Sequence, residues 1–182
     1  MKRLSQRPGF VCVVLCTAVM LAACATLTVV QPEAAGKYRN EEYRFTVEYP
    51  DHYAPQGLKR ADEVFHAANP TIYRLPQFTV NIADAEEGAT LDAKAWITSV
   101  RKTSHGLKRF KVLSEKMVTL NDGTPALAMF YKYTYKESTK LQSASMWILK
   151  DGKSISATAT TILGGATTPD KLLKMVSSFK FY

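Results

Sequence analysis

The sequence predicts an α+β fold in which an antiparallel β-sheet is flanked by helices. Three observations predict it. Consecutive strand-like segments between Lys111 and Ile162 are separated by turn signals, with Asn121-Asp122-Gly123 and Asp151-Gly152 reading as tight hairpins. Two of those segments are apolar on both sides over part of their length, Ala126 to Phe130 and Met146 to Leu149, so something must cover both faces of the sheet. Two other segments carry apolar residues at helical spacing and supply that cover.

The N-terminal segment reads as an export signal. Lys2, Arg3 and Arg7 form a basic start, and Phe10 to Ala23 is an almost uninterrupted apolar run. That run is short for a transmembrane helix, which needs about 20 apolar residues. It closes on Leu21-Ala22-Ala23-Cys24, which resembles the lipobox of bacterial lipoproteins. The resemblance implies cleavage before Cys24 and lipidation of its thiol, with acyl chains that bind a membrane at about 0.8 kcal/mol per buried methylene. A signal cut elsewhere and an uncleaved signal anchor are the alternatives. The expected organisation is a signal peptide over 1–23, a flexible tether over 24–40 containing Pro32 and Gly36, and one domain over 41–182. By the same analogy the non-acidic Ala25 favours transit to an outer membrane. The expected location is lipid-anchored at the cell or outer membrane, facing periplasm or exterior.

Composition narrows the function. The chain has 24 Lys and Arg against 16 Asp and Glu. Residues 1–23 hold three of the basic residues and no acidic one, which leaves 21 against 16, a net +5, for the remainder. This mild excess suits anionic headgroups or an acidic partner. Nucleic acid is a poor reading, because the chain is exported and lacks a dense basic cluster. Cys12 and Cys16 lie inside the apolar run, so the processed chain would keep only Cys24, with no disulfide and no cysteine-based metal or redox site.

The elements follow in order. Arg44 to Tyr49 alternates, with Phe45, Val47 and Tyr49 on one side, and reads as a strand ended by Pro50. Asp51 to Ala61 holds Pro55 and Gly57 and reads as a loop. Glu63 to Ala67 is a short strand candidate, followed by the Asn69-Pro70 turn. Gln77 to Ala83 alternates again, and it is expected to form a strand pair with Arg44–Tyr49. Thr90 to Thr103 reads as a helix with Thr90 as N-cap, Asp92 in the first turn, and Ala93, Trp96, Ile97 and Val100 as the buried stripe, with Gly106 past its end. The meander strands are Lys111–Leu120, Ala126–Lys136, Leu141–Lys150 and Ser154–Ile162. Gly164-Gly165 breaks the chain. Thr168-Pro169-Asp170 then starts a final helix as cap, proline and acid, with Leu172, Leu173, Val176 and Phe179 apolar. Phe181 and Tyr182 are expected to pack.

Arg44-Phe45-Thr46-Val47-Glu48-Tyr49-Pro50, the meander, and the closing Ser178-Phe179-Lys180-Phe181 together resemble PsbP-like domains over about residues 41–182. The family has a tryptophan shortly after the Tyr-Pro pair, where this chain has Tyr53. The resemblance implies an α/β/α sandwich around an antiparallel sheet. It also implies a binding or accessory role, since the family includes extrinsic subunits of the photosynthetic oxygen-evolving complex, a nuclear import factor that binds a small GTPase, and bacterial lipoproteins.

No catalytic motif stands out. His52, His66 and His105 are far apart and read as ordinary surface histidines, so no metal site is expected. Asp84, Glu86 and Glu87 lack the spacing of a calcium loop and read as a solvated turn. No serine sits in Gly-x-Ser-x-Gly, and Gly164-Gly165 lacks the Lys-Ser/Thr of a phosphate loop. On the Ala126–Lys136 strand, Tyr131 reads as core under a helix. Tyr133 and Tyr135 with Lys132 and Lys136 form the candidate partner surface, against ordinary cross-strand aromatic packing. The expected function is therefore a membrane-anchored, non-enzymatic binding or accessory subunit with no cofactor and an unidentified protein partner. An envelope enzyme with an unrecognised site is the alternative, and a purely structural envelope protein is a third reading.

Overall fold

The computed structural model describes residues 36–70, 75–103, 107–135 and 138–182. The segment expected to be a signal peptide, Cys24, and the expected tether up to residue 35 lie outside the described residues, as do Gly106 and Lys136.

Two antiparallel sheets and two helices make the fold. The first strands are β1 (Lys37–Asn40), β2 (Phe45–Glu48), β3 (Ala54–Pro55), β4 (Glu63–Ala68) and β5 (Gln77–Asp84). Helix α1 (Ala93–Thr103) precedes the meander β6 (Leu107–Thr119), β7 (Pro125–Tyr135), β8 (Thr139–Lys150) and β9 (Lys153–Ile162). Helix α2 (Pro169–Ser177) and β10 (Lys180–Phe181) complete the chain. The large sheet runs β3-β4-β5-β9-β8-β7-β6, and the small one β1-β2-β10.

The hairpins form where the turn residues demand them. Asp151 and Gly152 both take positive φ, 50° and 71°, which gives the β8–β9 turn the twist of its flanking strands. Pro125 sits at the first position of β7, where its missing N–H costs the ladder least.

Several expectations need correction. Residues 37–40, expected in the tether, are a strand: Tyr38 pairs with Val47 in β2 and its ring is buried against Phe65, 4.3 Å between centroids. The Arg44–Tyr49 and Gln77–Ala83 strands do not pair with each other. β2 lies between β1 and β10, whereas β5 pairs with β9 over its whole length. Ala54 and Pro55, expected in a loop, pair with β4 at the edge of the large sheet. Helix α1 begins later than predicted, because Asp92 is the cap. Its Oδ1 accepts from Ala95 N at 2.8 Å, and Thr90 Oγ1 donates to its Oδ2 at 2.6 Å. The cap of α2 is the predicted Thr168, whose side chain accepts from Lys171 N.

The two faces of the large sheet are buried differently. On one face, α2 inserts Leu172, Met175 and Val176 above Ala144, Met146, Ile148, Ala157 and Phe78, and the small sheet extends that layer with Phe45 and Val47. Phe179 stacks on Phe45 at 4.9 Å, and Phe181 meets Phe179 edge-on at 5.1 Å, so the Ser-Phe-Lys-Phe ending is a packing signature. This shared layer makes the fold more sheet-rich than a simple α/β/α sandwich. On the other face, a smaller core gathers Trp96 of α1 with Leu127, Met129, Tyr131 and Trp147.

Candidate binding groove

The chain leaves β5 near one side of the large sheet and re-enters at its far edge in β6. Helix α1 lies on this crossover. An eleven-residue helix is about 16 Å long, whereas seven strands span about 30 Å, so one helix cannot roof the whole face. The apolar part under α1 is filled by Trp96, 4.9 Å from the ring of Tyr131. The uncovered part, toward β4, carries a stripe of polar side chains among apolar ones and forms a concavity of about 610 Å³.

Register builds its floor. Thr79, Thr158 and Ser145 stand side by side across β5, β9 and β8; so do Gln77, Thr160 and Ser143, and Asn81, Ser156 and Trp147. The innermost hydroxyls satisfy one another. Ser143 Oγ and Thr160 Oγ1 are 2.8 Å apart. Ser145 Oγ lies 2.8 Å from Thr158 Oγ1 and 2.9 Å from the Tyr131 hydroxyl, and Trp147 Nε1 donates to Ser154 Oγ at 2.8 Å. Thr79, Asn81, Ser156 and Thr158 remain half-exposed.

One wall is aromatic, made by Tyr131, Tyr133 and Tyr135. Tyr133 lies 5.9 Å from Tyr131, which is backed by Phe110, stacked on it at 4.8 Å. Burial pushes the phenols of Tyr131 and Tyr133 up, so both stay neutral at physiological pH. The opposite wall is the segment before β4 with Lys59, Arg60 and Asp62, and the first residue of β4, Glu63. Arg60 grips Asp62 through two hydrogen bonds of 2.8 and 2.7 Å, and Glu63 Oε2 accepts from Lys59 N at 2.5 Å. His66 is 2% exposed, with Nδ1 3.7 Å from Glu63 Oε1. It is a buried histidine, not the surface one expected. β4 is buried on both sides, which a weakly alternating six-residue segment does not announce.

The described residues of the expected partner surface fall on two faces of the sheet. Tyr133 and Tyr135 project to the groove side, whereas Lys132, between them on the strand, falls on the opposite side. Strand alternation forces this division. Tyr131 is core beneath α1, as the sequence indicates. His52 is exposed, edge-on to Tyr53 at 5.0 Å, and His105 lies outside the described residues. Asp84 is exposed and pairs with Lys153 at 2.6 Å, which holds its carboxyl below the usual range. Among the described residues, no three His, Cys, Asp or Glu side chains gather in a way that could hold a metal ion, and no helix is long and apolar enough to cross a membrane.

A second cavity, about 570 Å³, lies between α2 and the small sheet and is lined by Tyr49, Tyr53, Pro76 and Met175, with Lys171 and Lys174 at its rim. Burial pushes the Tyr53 phenol up to about 12, against a hydrogen bond to Thr167 that lowers it.

No protein-family description and no curated protein matches this chain. Solved structures do. The solution structure of cyanobacterial PsbP (CyanoP) from Synechocystis sp. PCC 6803 superposes with a TM-score of 0.63 at 18% identity, over 82% of this chain and 94% of that one. The fold is PsbP-like. A crystal structure from Bacteroides thetaiotaomicron VPI-5482 superposes with a TM-score of 0.51 at 12% identity, over 81% of this chain and 48% of that one. At such identities the likeness concerns the PsbP-like fold alone.

The groove floor is the part that sequence reading missed, although a signal was present. Ser154, Ser156, Thr158 and Thr160 alternate with Ile155, Ala157 and Ala159, and Ser143 and Ser145 flank Ala144. A period-two stripe of hydroxyls on two neighbouring strands marks a polar sheet face.

Proposed function

We propose that the protein is a bacterial lipoprotein anchored through Cys24, and that its PsbP-like domain is a non-enzymatic binding module of the cell envelope. The lipobox supports the anchor. The observation that carries the binding role is the chemistry of the groove. Its innermost serines bond to threonine and tyrosine hydroxyls, groups that do not take a proton at neutral pH, so these serines are structural hydroxyls rather than activated nucleophiles. A concavity of hundreds of cubic ångströms, walled by aromatic rings and floored by oriented polar groups, has the size and lining of a recognition site.

Both halves are testable. Wild-type protein should incorporate labelled palmitate and sediment with membranes, and Cys24→Ser should do neither; equal labelling of both would end the lipoprotein reading. Immobilised wild-type protein should retain envelope material that Thr158→Tyr, which fills the groove floor, does not. Equal retention by both would remove the groove from the binding role.

A further inference from the structure

We infer that the groove takes a neutral, polyhydroxylated ligand, a saccharide chain laid across β5 and β9. This rests on the groove being the binding site and adds the chemical class of what it binds.

The floor decides the class. Thr79, Thr158, Ser156 and Asn81 offer hydroxyls and an amide, groups that donate and accept equally well. Sugar hydroxyls have the same dual character, so each contact can form in either direction. An apolar ligand would strip water from these half-exposed groups and return no hydrogen bond, at about 1–3 kcal/mol for each group left unpaired. A site built to hydrogen-bond its ligand rejects molecules that lack the matching groups.

Charge points the same way. The chain as a whole carries a formal +8, yet the groove does not share the excess. Its floor has no charged residue, and the β4 side sets Lys59 and Arg60 against Asp62 and the buried Glu63, with Arg60 and Asp62 paired to each other. An anionic polymer gains no steering there, and neither does a basic peptide. The aromatic rim completes the match. Tyr135, 41% exposed, and the half-buried Tyr133 present ring surface beside the polar floor. Sugars likewise combine hydroxyl edges with apolar C–H faces that pack on aromatic rings.

The groove carries its own reporters. The sequence holds two tryptophans, and both Trp96 and Trp147 line this cavity. Detergent-solubilised full-length protein is titrated with chitotriose, cellotriose and maltotriose, followed by intrinsic fluorescence and by the indole N–H resonances. At least one sugar should give a saturable change. Thr79→Val and Asn81→Leu, which remove hydrogen-bonding groups with little change in size, should each weaken it about tenfold, whereas Lys111→Gln, on the edge strand away from the groove, should not. Circular dichroism establishes that each variant is folded. No saturable response to any of the three sugars overturns the inference. A response that survives both groove substitutions overturns it too, because the sugar then binds elsewhere. If the sugars fail while Thr158→Tyr still abolishes retention of envelope material, the saccharide class is wrong and the binding module stands; if both fail, the groove itself is not the site.

Discussion

Ser145 is the joint of the groove floor, and removing its hydroxyl tests how that floor is held. The side chain is fully buried at 0% exposure, and its Oγ lies within hydrogen-bonding distance of both the Tyr131 hydroxyl and Thr158 Oγ1. Ser145→Ala deletes one oxygen and no carbon, so the cavity term is small and the cost is that of polar groups left short of a partner. A buried unsatisfied hydroxyl costs about 1–3 kcal/mol. Tyr131 also feels Ser143 and Thr158 nearby, which can take up part of the lost bond, so about 1.5 kcal/mol is expected here. Tyr131→Phe removes the other partner, and Ser145 keeps Thr158; about 1 kcal/mol is expected. The double variant should cost about 1 kcal/mol less than the two singles together, because the orphaned phenol is no longer present. Urea unfolding at neutral pH reads all three values, provided that the slope with denaturant is unchanged. Additivity within about 0.3–0.5 kcal/mol would refute the network.

Two further outcomes follow from the structure. Burial at the β6–β7 hairpin raises the Asp122 pKa, but hydrogen bonds from Lys150 and Thr124 outweigh it and hold the carboxyl down at about 2. Its folded pKa is thus depressed from about 3.8, so its stabilisation is present above that value and is lost as the pH falls through about 2. After screening at a turn this amounts to about 1 kcal/mol, and Asp122→Asn should lower neutral-pH stability by that much and flatten the acid limb of the pH–stability curve; an unchanged limb would sink the assignment. Gly36, expected in a free tether, has φ of +80° and its carbonyl accepts from Tyr49 N at 2.7 Å, and an added Cβ would meet Tyr49 O at 2.5 Å. Gly36→Ala should therefore cost more than about 1 kcal/mol and lower the melting temperature, whereas a tether position would show no change.

The features legible in the sequence are those whose physics is local. Thr168-Pro169-Asp170 starts α2 because a cap, a proline and an acid act within one turn. Asp151-Gly152 makes its hairpin because both residues accept positive φ. Tyr131 lies beneath α1 because its strand is apolar on that side. The separation of Lys132 from Tyr133 and Tyr135 was also legible, since alternate residues of a strand cannot share a face. What required tertiary structure is partnership between distant segments. Nothing within β5 says that it pairs with β9 rather than with β2, because an alternating strand offers the same backbone groups to any neighbour. Nothing in residues 37–40 marks them as a strand until β2 lies beside them. The groove exists because one short helix crosses a seven-stranded sheet and covers only part of it. Hydroxyl spacing along β8 and β9 belongs to the sequence; which hydroxyls stand side by side, and that they face an open trough, depends on strand order and on where α1 comes to rest.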